Sequence, residues 1–95
     1  MANERFTSVW DALADTPEEA ENLRARSQLL LAITKAVKAW NLPQKEAAKR
    51  LGVTQPRLSD LLQGKIDKFS LDALVNLLAG ANLTMKINVS KLAAA

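Results

Sequence analysis

The 95 residues allow one small domain, and 48 % apolar content is enough for a single core without disulfide or metal staples. Neither Cys nor His occurs, which excludes zinc fingers, thiol redox chemistry, imidazole-dependent triads and histidine metal sites, so no enzyme and no cofactor is expected. The net charge of +3 divides unevenly: residues 1–28 hold three basic and six acidic groups, a net −3, which leaves +6 on residues 29–95 and implies two surfaces with different partners.

Phe6, Val9, Trp10 and Leu13 recur at i, i+3, i+4 and i+7, one stripe of a short amphipathic helix broken at Asp15-Thr16-Pro17. These four residues are the candidate contact with a protein partner, and Trp10 serves equally well as core. Thr16 then caps a long helix, with Pro17 at its first position and Glu18 and Glu19 at the positive end of its dipole. Leu23, Leu30, Ile33, Val37 and Trp40 form its inward stripe, with Trp40 expected in the core, and Asn41 and Pro43 end it. A short helix from Gln44 to Leu51 closes at Gly52, where a left-handed residue permits a sharp turn. Thr54 caps the next helix, Pro56 sits in its first turn, Leu58, Leu61 and Leu62 face inward, and Gly64 ends it. Ser70 caps a further helix with stripe Leu71, Leu74, Val75 and Leu78, stopped by Gly80.

From Leu83 the period changes to two. Leu83, Met85, Ile87 and Val89 alternate with Thr84, Lys86, Asn88 and Ser90, as in a half-buried strand. A lone strand leaves its backbone groups unpaired, so it is expected to pair with its own copy across a two-fold axis, with Met85, Ile87 and Val89 as the dimer contact. The alternative is a frayed tail or an extension of the last helix. The expected fold is all-α: a compact bundle of about five helices containing a helix-turn-helix, with one C-terminal strand pairing across a dimer. Residues 1–28 form an acidic helical extension of the same domain, 29–82 the helix-turn-helix body, and 83–95 the strand and tail.

The informative segment runs from Gln44 to Lys65. Ala48 is small where two helices must approach, Gly52 makes the turn, and Leu51, Val53, Leu58 and Leu61 seal the space between them. Together these residues are more restrictive than a turn glycine alone, and they predict a helix-turn-helix rather than a generic helical hairpin. In such a unit the second helix meets base edges through its N-terminal residues, here Thr54, Gln55, Pro56, Arg57 and Ser59. Gln55 can pair with adenine N6 and N7, and Arg57 can fork onto guanine O6 and N7. Gln44 and Thr54 lie at helix N-termini suited to phosphate, and Lys65 and Lys68, in the loop after the second helix, suit phosphate contacts. Lys45, Lys49 and Arg50 extend the basic strip or form a solvated face. Asp60 stands where a polar or basic residue would help, and its carboxylate is expected to point away from phosphate. Pro43 supplies a rigid turn but no capping oxygen.

Over Leu29 to Leu83 these motifs resemble the lambda-repressor-like, or XRE, group of helix-turn-helix regulators. The matching residues are Gln44, Ala48-x-x-x-Gly52-Val53-Thr54-Gln55, Leu58-Ser59 and Gly64-Lys65 before a further helix. With the acidic head and tail strand, the layout is most similar to HigA-type antitoxins, and the tail strand resembles the intersubunit sheet of HipB-type antitoxins. The resemblance implies a cytoplasmic, nucleoid-associated homodimeric repressor of a palindromic operator on double-stranded DNA. It also implies neutralisation of a RelE/HigB-like ribonuclease toxin. A repressor without a toxin and a helical interaction module that no longer reads DNA are the alternatives. No membrane partner is expected, since no run approaches 18 apolar residues.

Overall fold

Hydroxyl caps set three of the four α-helix starts in the computed structural model, which describes residues 16–92. Helix α1 is Pro17–Ala39, α2 is Gln44–Leu51, α3 is Gln55–Leu62 and α4 is Leu71–Gly80, with a 3-10 turn at Ile66–Lys68 before α4. The hydroxyl oxygens of Thr16, Thr54 and Ser70 accept from the amides of Glu19, Arg57 and Ala73 at 3.1, 3.3 and 3.1 Å. Such a cap stabilises a helix by about 1 kcal/mol. Pro43 precedes α2 and makes no side-chain cap hydrogen bond, as its ring dictates.

Helix ends follow the same local logic. Asn41 takes a left-handed conformation with φ 55° after α1, and the Gly64 amide donates to the Leu61 carbonyl beyond α3. Beyond α4 it is Asn82, at φ 58°, that turns the chain. Its amide donates to Ala79 and the Leu83 amide donates to Leu78, the paired closure of a Schellman motif.

Ile33, Leu58, Leu61, Phe69 and Leu74 are the largest fully buried side chains and mark the centre of the core. Leu30, Val37, Ala47, Ala48, Leu51, Leu78 and Ala81 surround them. Helix α1 packs chiefly along α4, while α2 packs on α3 and both reach the other pair. The buried stripe of α1 also takes in Ala20 and Ser27, whereas Leu23 is half-buried and Trp40 packs partly covered against the core.

Helix α4 ends at Gly80, as expected, with the turn made by Asn82, and a Cβ at position 80 would run into the Leu51 backbone carbonyl at the end of α2. Two expectations change. Residues 83–92 carry no strand, because a ladder needs a second strand and this chain contributes none among the described residues. Met85, Ile87 and Val89 are exposed. Four α-helices and a 3-10 turn stand in the described residues where about five helices were expected, and the stripe Phe6, Val9, Trp10 and Leu13 lies outside them.

The Gly80 contact reverses an ordinary substitution. Gly→Ala inside a helix normally gains about 1 kcal/mol. Here Gly80→Ala should instead destabilise by about 1–3 kcal/mol, since backbone must move to admit the methyl group. Thermal unfolding followed by circular dichroism measures this, and a raised midpoint would remove the close approach.

Candidate nucleic-acid interface

The corner between α2 and α3 is fixed by one carbonyl. The amides of Gly52 and Val53 both donate to Ala48 O, at 2.9 and 3.0 Å, which requires Gly52 to hold φ 87°. A Cβ at that φ is strained whatever space surrounds it. Ala47 and Ala48 are buried against the neighbouring helices, and Val53 is half-buried after the turn. The unit is two eight-residue helices joined by a three-residue turn.

With Leu58 and Leu61 buried, the opposite face of α3 is turned outward. Thr54, Gln55 and Pro56 are exposed and Ser59 is half-buried, so this part of the expected reading surface is gathered at one end of α3. Gln44 is exposed at the start of α2, where the first amides have no side-chain cap. Ser59 Oγ accepts from Gln63 Nε2 at 2.8 Å. Gln63 was not singled out in the sequence, although its i+4 spacing from Ser59 puts it on the same face.

Arg57 behaves differently from the expectation of a base-directed fork. Its Nη1 donates to Lys68 O at 2.8 Å, and its guanidinium carbon lies 4.0 Å from the centroid of the buried Phe69 ring. Arg26, from α1, reaches the same loop: its Nη1 donates to Ile66 O at 3.2 Å and Phe69 O at 3.3 Å. The 65–69 loop is therefore fastened through its carbonyls by two arginines. Its two lysines remain at the surface, each within 4 Å of the Asp60 carboxylate. Asp60 thus does not stand alone on this face. Arg50 stacks on Trp40 at 4.3 Å from the ring centroid, which ties the end of α2 to the end of α1.

The chain matches the model of the family described as "Helix-turn-helix domain" over residues 12–90. A solved structure assigned to the XRE family of transcriptional regulators aligns with 31 % identity and a TM-score of 0.69, covering 79 % of this chain and 84 % of that one. No curated protein matches the sequence. The chain belongs to the XRE family of helix-turn-helix proteins.

Within this XRE chain the contacts of Arg26, Arg57 and Phe69 were not marked by sequence patterns. Each joins residues far apart in sequence, and no local spacing marks them. No group of three or more acidic side chains that could hold a metal ion occurs among the described residues, nor is any described helix long and apolar enough to cross a membrane.

Arg57→Ala should cost about 1–2 kcal/mol of stability, the sum of a charged hydrogen bond at a half-exposed site and a cation–π contact. Amide hydrogen exchange at Ile66–Phe69 should quicken more than exchange in α1. Unchanged exchange in that loop would show that Arg57 does not hold it.

Proposed function

We propose that this chain is a DNA-binding transcriptional regulator that sets α3 into the major groove and represses through a palindromic operator. The observation that carries the reading is the outward end of α3, with Thr54, Gln55, Pro56 and Ser59 held at the fixed Gly52 corner beside the uncapped start of α2. Helix N-terminal amides at α2 and the cap at Thr54 suit phosphate, while Gln55 and Ser59 suit base edges. Lys65 and Lys68 flank them for the next phosphates. Arg57, occupied by Lys68 O and Phe69, serves by holding that loop beside α3.

Two copies are needed on this reading, because one helix reads only a few base pairs and half-sites lie about 34 Å apart. The exposed alternation Met85, Ile87 and Val89 supplies the second-copy contact, with the tail of each protomer pairing as a strand. The −3 segment of residues 1–28 is the surface offered to a basic protein such as a RelE/HigB-like toxin, in an antitoxin that represses its own operon. Against an interaction module without DNA binding stands the state of Asp60. In the free protein its charge is met by Lys65 and Lys68, so it does not face solvent alone.

Selection from a random duplex pool should return a palindrome. Gln55→Ala should weaken its binding by about 1–3 kcal/mol and relax preference at one position per half-site. The unfolding midpoint should not move, since the Gln55 side chain is exposed. A wild-type chain that enriches no sequence would overturn the DNA reading.

Two deletions separate the other surfaces. Truncation after Leu83 should convert a dimer to a monomer on gel filtration, and a truncated protein that still elutes as a dimer would rule out strand pairing as its main contact. Removal of residues 1–15, which spares the Thr16 cap, should abolish capture of a RelE/HigB-like toxin while leaving operator binding in place. Equal loss of both would end that division of labour.

A further inference from the structure

The carboxylate of Asp60 divides itself between two cations. Oδ1 lies 3.4 Å from Lys65 Nζ and Oδ2 lies 3.6 Å from Lys68 Nζ. Asp60 is the more buried partner, with 23 % of its side chain exposed against 43 % and 52 % for the lysines. The backbone makes this pairing more than a meeting of loose side chains. The Lys65 amide donates to Asp60 O at 3.1 Å, and the Lys68 amide donates to Lys65 O at 3.0 Å. Arg57 and Arg26 then anchor the Ile66, Lys68 and Phe69 carbonyls. Both ammonium groups therefore leave a hydrogen-bonded loop directed at one carboxylate.

Resting on the DNA-binding reading above, we propose that Asp60 is an internal stand-in for phosphate that tempers sequence-independent affinity for DNA. In the free protein it occupies the two ammonium groups best placed for the backbone. A duplex must exchange phosphate for carboxylate at Lys65 and Lys68, and it must bring its phosphates close to a negative charge that α3 cannot carry away. A carboxylate about 7 Å from a phosphate in water lowers affinity roughly threefold per phosphate through repulsion alone. Loss of the lysine pairing adds to this. Sequence-independent binding draws essentially all its strength from phosphate contacts, so the effect is most visible there. Because the repulsion is screened by salt, it should fade as ionic strength rises.

Asp60→Asn keeps the side-chain shape and the backbone acceptor of the Lys65 amide. Its affinity for a scrambled-sequence duplex, measured by fluorescence anisotropy, should rise about 5- to 10-fold over wild type at 50 mM salt. The gain should shrink at 200 mM salt, a dependence that a packing defect would not produce. Asp60→Ser gives a second variant for the same comparison if the first unfolds. Unchanged or weaker binding by folded variants, with wild type still binding duplex, overturns this inference and leaves the DNA reading intact. Failure of wild type and variants alike to bind any duplex overturns both.

Discussion

One acceptor, the carbonyl of Ala48, governs the geometry on which the rest of the chain depends. Two successive amides converge on it, and only the left-handed Gly52 lets the chain turn quickly enough to deliver both. The alanines at 47 and 48 add the second condition, since larger side chains would hold α2 away from its neighbours. With that corner closed, Thr54 falls where it caps α3, and Leu58 and Leu61 fall into the core. The polar end of α3 then has only one direction left. An outward Gln55 is a consequence of the buried leucines as much as of its own chemistry.

A second fastening lies beyond α3, around Phe69. This ring is buried, receives Arg57 on its face, and its carbonyl accepts from Arg26 of α1. The 3-10 turn is thereby joined to the first and third helices at once. Cations in this chain divide by geometry. The two arginines at this turn, Arg26 and Arg57, have planar forks that suit backbone carbonyls and an aromatic face, and they are half-buried. The lysines of the same loop carry a point charge on a flexible stem and stay in solvent, where they can change partner.

Helix boundaries were legible in the sequence because their causes are local. A cap three residues before its amide, a proline at a first turn and a left-handed Asn or Gly after a last turn can all be seen within a short window. The helix-turn-helix was legible for the same reason, as its turn and its inward leucines lie within one stretch of sequence. Gly80 was rightly placed at the end of α4, but its contact was not legible, because a glycine at a helix end looks the same whether it turns the chain or admits a neighbour. The carbonyl of Leu51 that decides the matter is 29 positions away in the chain. Arg57 was assigned by its position on α3, yet its partners Lys68 and Phe69 lie beyond the following turn. Alternation after Leu83 is a sound pattern for a strand, but a strand exists only with a partner, and one chain holds none for it among the described residues.

Charge is where structure changes most how the composition is understood. A total of +3 looks too low for a polyanionic partner, and +6 on residues 29–95 looks more suitable. Neither number describes the surface that a phosphate would meet. Arg57 is turned to a carbonyl and a ring, and Arg50 to Trp40. Lys65 and Lys68 share a carboxylate, so part of the positive charge beside α3 is already balanced within the fold. On the DNA-binding reading proposed above, strong free charge would hold the protein on any duplex, whereas charge that must be exchanged leaves more of the outcome to Gln55, Ser59 and the fit of α3.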